Sequence, residues 1–307
     1  MLIKANFQPL NFSYLCATNA RFLGLHPSPI NVFQATTLLS KAKTRVNNMF
    51  TQGTASPLAQ ALQTIAFIPH APWCNSNIPP LKLHPLIAQS IFSMQQVGVN
   101  LQSPGHYINH LQIHLQTQHY FEAETEWTKT FKTSEQVFNT CIQKITKNVF
   151  GFEIQEFSIN CDSVQNGSLQ FTNLISLINT ELSELLNRFE PDKFLALFLK
   201  KEPCINQKVN LRFIVVLQKD FIDEPAGFSN FSFFESLKYT TESNSCYTIN
   251  YDSLFLNGFL QTNRFNKKNP DFKERIKYLK NYLIGTDTLY RIDGLQPTFE
   301  VVYSKFD

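Results

Sequence analysis

Glycine is scarce in this chain, 10 in 307 residues. None of it builds a phosphate-cradling G-x-x-x-x-G-K-[ST] loop or a G-x-S-x-G nucleophile elbow, so P-loop nucleotide hydrolysis and serine acyl transfer have no motif behind them. Charge is thin too. Asp, Glu, Lys and Arg supply 17% of residues against a usual level of about 25%, and Asn, Gln, Ser and Thr fill the difference. The six cysteines include no C-x-x-C pair, so neither a zinc knuckle nor a disulfide framework is expected, and a reducing, cytoplasmic setting fits best. The longest apolar runs, 194–199 and 213–217, fall far short of the roughly 20 residues a membrane span requires. The N-terminus lacks the charged region, long apolar region and small-residue cleavage site of a signal peptide. No membrane association is expected.

What is present describes a folded protein with a neutral polar surface: 43% hydrophobic residues, 13% aromatic ones and 29 Phe. A net charge of +3 permits an anionic partner without requiring one, because affinity for nucleic acid depends on local clustering of Lys and Arg. The length predicts two domains. We place them at 1–150, mainly helical with an irregular proline-rich stretch over 69–85, and 151–307, an α+β unit with an antiparallel sheet.

Hydrophobic periodicity predicts helices over 31–48 and 56–66, then a half-exposed strand over 108–117 with a helix as its alternative. A helix over 134–149 follows, begun by a serine cap and striped with Val137, Phe138, Cys141, Ile142 and Ile145. Beyond Phe150 the order reads β-α-β-β: strand 152–161, long amphipathic helix 168–189, and apolar strands 194–200 and 209–219. A short helix over 231–239, strands over 246–251 and 254–261, a helix over 271–283 after Asn269-Pro270, and an edge strand over 298–303 complete it.

The most informative segment runs from Lys200 to Leu217. It sets Lys200, Lys201 and Glu202 before an apolar strand from whose start Asn210 and Arg212 project on one face, since alternate strand residues share a side. In order and spacing, 152–292 resembles the YagK/YfjJ-type family of inovirus replication proteins, a branch of the His-hydrophobe-His, Rep-like nicking superfamily. The resemblance rests on strand 157–162, the long helix, Lys201-Glu202-Pro203 leading to 210–217, and the late segment from Asn257-Gly258 through 269–272 to 278–283. It implies a Rep-like or RRM-like sheet and single-strand DNA as substrate. It also implies a divalent metal that polarises the scissile phosphate and a tyrosine that attacks it. Glu202 matches the family carboxylate and Tyr282 the tyrosine, with Tyr278 one turn away. The two metal-binding histidines are replaced by Asn210 and Arg212. Asn is a poor ligand for a catalytic dication and Arg is permanently charged, so Glu202 and Asn210 are all that remain of a metal site. Arg212 is expected to hold a phosphate or to pair with Glu202.

Lys267, Lys268, Lys273, Lys277 and Lys280, with Arg264 and Arg275, form the most basic stretch of the chain. A charge run on a helix is more often a solvated face, and the two tyrosines equally suit a core edge. His106, His110, His114 and His119 are read as exposed polar histidines rather than ligands. The sequence therefore points to a phage- or plasmid-derived protein with a degenerate Rep-like site. It would bind single-stranded or hairpin DNA through Arg212, Lys200, Lys201, Lys273, Lys277 and Lys280. No cofactor is expected unless nicking survives, which would need Mg or Mn. An active tyrosine-dependent nicking enzyme and a protein-interaction scaffold working through the N-terminal part are the alternatives.

Overall fold

The computed structural model describes residues 27–42, 56–71, 73, 81–161, 194–203, 209–218, 247–250, 264–294 and 297–306. In order, the elements are α1 (Pro29–Leu39), α2 (Pro57–Ala66), a 3-10 turn (Ile68–His70), β1 (Leu81–Leu83), α3 (Pro85–Val97), α4 (Gly105–Leu115) and α5 (Gln118–Asn148). They continue with β2 (Gly151–Cys161), β3 (Phe194–Pro203), β4 (Val209–Gln218), β5 (Tyr247–Asn250), β6 (Arg264–Asn266) and α6 (Phe272–Ile284). A 3-10 turn (Gly285–Thr288), β7 (Tyr290–Ile292) and β8 (Phe299–Ser304) close the chain. A helical N-terminal part is thus followed by a strand-rich α+β part. Among the described residues no helix is long and apolar enough to cross a membrane.

Packing divides the chain into two compact units, Met1–Lys132 with Thr286–Arg291, and Thr133–Gly285 with Ile292–Asp307. In the first, three helices start on one device, a proline in the first turn behind a side chain that accepts a backbone N–H. Ser28 accepts from Asn31 (3.3 Å), Ser56 from Ala59 (3.2 Å) and His84 Nδ1 from Leu86 (3.0 Å). The helices bury Val32, Leu39, Leu62, Ile65, Ile87 and Leu111. Buried polar tips find partners: the Tyr107 and Ser90 hydroxyls lie 2.6 Å apart, and the Trp73 indole donates to the Pro27 carbonyl at 2.7 Å.

Several expectations are corrected here. Residues 108–117 form no strand: α4 buries Tyr107, Ile108 and Leu111 at helical spacing, while Ile113, which a strand would turn inward, is 55% exposed. Ser134 caps nothing, because α5 runs unbroken from Gln118 and buries it. No glycine or proline lies between Gln118 and Asn148 to stop the helix. Val137 leaves the expected stripe and is exposed, whereas Phe138, Cys141, Ile142 and Ile145 are buried. The proline-rich stretch is not irregular throughout, since Pro69 sits in a 3-10 turn, β1 follows, and Pro85 opens α3. The first helix starts two residues early, at Pro29, because Ser28 caps it. The boundary expected near Phe150 lies earlier by packing. Phe138 stands 5.7 Å from Phe198 and 6.1 Å from Phe299, so the second half of α5 belongs with the sheet. The helices expected over 168–189 and 231–239 and the strand over 254–261 lie outside the described residues.

The second unit is built on an antiparallel sheet in the order β5-β2-β4-β3-β8, with β6 also paired to β2. Because β2 and β3 are both antiparallel to β4, they are parallel to each other with β4 between them. The strands β3 and β4 are buried on both faces, which is why they read as continuous apolar runs rather than alternating ones. Strand β8 forms the edge where the sequence placed one.

Candidate functional site

Register fixes which side chains meet. Opposite residues in an antiparallel ladder share a face, and β4 lies between β2 and β3. Lys200 faces Arg212 and Glu202 faces Asn210 across the β3–β4 ladder, while Glu156 faces Ile214 across β2–β4. Glu156, Lys200, Glu202, Asn210 and Arg212 therefore stand on one side of the sheet. Helix α6 adds Tyr282 to that side, from an inward face that also carries Leu279, Leu283 and Ile284.

Arg212 is the hub. Its Nε and Nη2 donate to Glu202 Oε2 at 3.1 and 2.8 Å, and its Nη1 donates to Glu156 Oε1 and to the Tyr282 hydroxyl. Tyr282 in turn donates its own proton to Glu156 Oε1, and the guanidinium carbon lies 4.8 Å from the phenol ring centroid. Asn210 Nδ2 reaches Glu202 Oε2 at 3.4 Å. Arg212 is 2% exposed and Tyr282 fully buried. Among the described residues, Glu202 Oε1 and Asn210 Oδ1 have no hydrogen-bond partner.

The electrostatics follow from this burial. Desolvation by itself would lower the Arg212 pKa, but the charges of Glu202 and Glu156 and the hydrogen bonding to Glu202 outweigh it and hold the guanidinium charged well above its ordinary range. Burial pushes the Tyr282 phenol well above the usual tyrosine value. Arg212 opposes that, while Glu156 and Glu202 add to it. An attacking tyrosine needs an accessible oxygen that can lose its proton. Tyr282 as placed here has a buried, engaged hydroxyl that holds its proton.

A divalent ion does not fit this donor set. The cation position between Glu156 and Glu202 is taken by the guanidinium, whose Nε, Nη1 and Nη2 are all turned onto them. Among the described residues no cluster of three or more His, Cys, Asp and Glu side chains is arranged to hold a metal. His110 and His114 sit one turn apart on α4 with ring centroids 4.4 Å apart, and His110 Nδ1 lies 3.1 Å from the Ser93 hydroxyl.

The structure thus brings Glu202, Asn210, Arg212 and Tyr282 together and leaves others out. Tyr278 donates to Glu274 at 2.7 Å on the outer side of α6. Lys200 and Lys201 are buried, the latter 3.0 Å from Glu300, so neither ammonium is offered to solvent. Lys273 and Lys277 are exposed, whereas Lys280 is half-buried and ion-paired with Glu135. Sequence reasoning missed Glu156. Its signal was there: Phe152, Ile154 and Glu156 alternate along one strand, and a carboxylate in an apolar row requires a buried partner. No protein-family model matches the chain, and no curated protein or solved structure matches it either.

Proposed function

We propose that this is a nucleic-acid-binding protein of mobile-element descent that recognises single-stranded or hairpin DNA. Its Rep-like site is degenerate, the metal cage having given way to the Arg212 cluster. In this reading the contact surface is not that cluster but the outer face of β6 and α6. The observation that carries it is the company Phe150 keeps. This ring is 53% exposed, Lys268 Nζ lies 5.1 Å from its centroid, and the Lys267 amide donates to the Phe150 carbonyl at 3.3 Å. Lys267, Lys268, Lys273 and Lys277 are exposed on the same segment. The neighbouring cations are engaged: Arg264 with Glu153, Arg275 with Asp271 at 3.9 Å, and Lys280 with Glu135. An accessible aromatic ring beside exposed lysines is how proteins hold single strands, the base stacking on the ring and the backbone meeting the charges.

Fluorescence anisotropy with labelled single-stranded and hairpin DNA at low ionic strength tests this. Salt-sensitive binding is expected. Phe150→Ala should weaken it by about 1–3 kcal/mol, the range found for one stacked base, and binding that does not respond to salt would sink the proposal. Incubation with Mn²⁺ separates it from a nicking enzyme: a covalent DNA adduct that Tyr282→Phe abolishes would favour the enzyme.

A further inference from the structure

The first unit contains a cavity of about 400 Å³ between α3, α5 and the β1–β7 pair, within the usual size of small-molecule sites of roughly 300–1,000 Å³. Its chemistry is one-sided. Arg291 is buried and its guanidinium carbon stands over the Trp127 ring, 4.0 Å from the centroid. Its Nε donates to the Asp287 carbonyl at 3.2 Å and its Nη2 to the Trp127 carbonyl at 2.9 Å. Neutral carbonyls satisfy those protons without balancing the charge. Among the described residues no carboxylate stands at ion-pair distance from Arg291; Asp287 and Glu126 act on its charge only from farther away, and burial lowers its pKa. A buried cation left this way is costly unless an anion joins it.

Three further donors line the same space. Gln89 Nε2 is buried and has no hydrogen-bond partner among the described residues. Lys82 and His119 stand exposed at its wall. Glu126 is the one carboxylate among the lining residues. Aliphatic side chains such as Leu83 and Ala88 share the wall with two buried aromatic rings, Tyr120 and Trp127, the latter held by donation from its Nε1 to the Thr288 carbonyl at 3.2 Å. Aromatic walls with convergent donors suit a planar body carrying negative charge.

We propose that this cavity binds a small organic anion, a flat ring bearing a phosphate or carboxylate, with the ring against Trp127 and Tyr120 and the anionic group served by Arg291, Lys82 and Gln89. The site is independent of the nucleic-acid surface, since all its residues belong to the first unit. Calorimetric titration of the full chain tests it, using adenosine 5′-monophosphate beside adenosine and indole-3-acetate beside indole. At least one anion should bind saturably and about tenfold or more tighter than its uncharged counterpart, and the arm that does so tells phosphate from carboxylate. Lys82→Ala, a change at an exposed position, should weaken that anion several-fold and leave the uncharged compound unaffected. Failure of both anions to bind, equal binding of anion and uncharged counterpart, or binding indifferent to Lys82→Ala would each overturn the proposal.

Discussion

Arg212 shows how one residue decides the character of a pocket. Its guanidinium holds Glu156 and Glu202 and shares Tyr282 with them, so removing it leaves two buried carboxylates without their cation. Arg212→Met should therefore cost about 3–5 kcal/mol, and replacing both glutamates by leucine as well should recover most of it. Urea unfolding measures both, and a loss under about 1 kcal/mol for the single change would show that the cluster does not depend on its cation. Tyr282 gives a second readout. Its folded pKa is raised, so its neutral form contributes stability below the ordinary tyrosine value, and that contribution is lost as pH rises beyond it. In an alkaline absorbance titration the tyrosinate signal appearing near the ordinary pKa of about 10 should be the same for the wild type and Tyr282→Phe. A signal smaller by one tyrosine in the variant would mean that the phenol is accessible and ionisable.

At the scale of elements, helix α3 rests on a titratable cap. His84 Nδ1 accepts the Leu86 amide proton at 3.0 Å while its ring sits edge-on to Phe33 and Trp127. Burial, and then Arg291, lower its pKa from 6.5 to about 4. The sign follows: the unfolded chain takes up the proton first, so the contribution is complete above pH 6.5 and is lost as pH falls towards 4. It amounts to at most about 3 kcal/mol. His84→Asn keeps an acceptor at the cap and cannot titrate. The drop in urea midpoint between neutral and mildly acidic pH should shrink in that variant, and an unchanged drop would assign the acid sensitivity to other groups. Much of the element pattern was legible: β2, β3, β4, β8 and α6 lie where periodicity placed them. The strand expected over 108–117 failed because Leu111, Ile113 and Leu115 satisfy a period of two while Ile108, Leu111 and Leu115 satisfy a helical one, and only burial, which takes Ile108 and leaves Ile113 exposed, chooses between them.

For the whole molecule, a net charge of +3 says little about partners, and the folded distribution of lysines says more. Lys200 and Lys201 look as basic in the sequence as Lys273 and Lys277, yet the first two are interior and the second two are exposed. If the outer face of α6 meets single-stranded DNA, the double change Lys273→Ala and Lys277→Ala should reduce the dependence of log affinity on log salt by about 0.7 per lost phosphate contact. An unchanged slope would move the contacts to another surface.

The sequence by itself determined where β2, β3, β4 and β8 lie along the chain and the spacing that puts Asn210 and Arg212 on one side of β4, because these depend on local backbone periodicity. Only the tertiary structure decided what Arg212 does. The register of β2 against β4 supplied Glu156, the packing of α6 supplied Tyr282, and together they turned a side chain suited to phosphate inward onto carboxylates. Charge pairing is set by neighbours in space, and those neighbours lie 56 and 70 positions away along the chain.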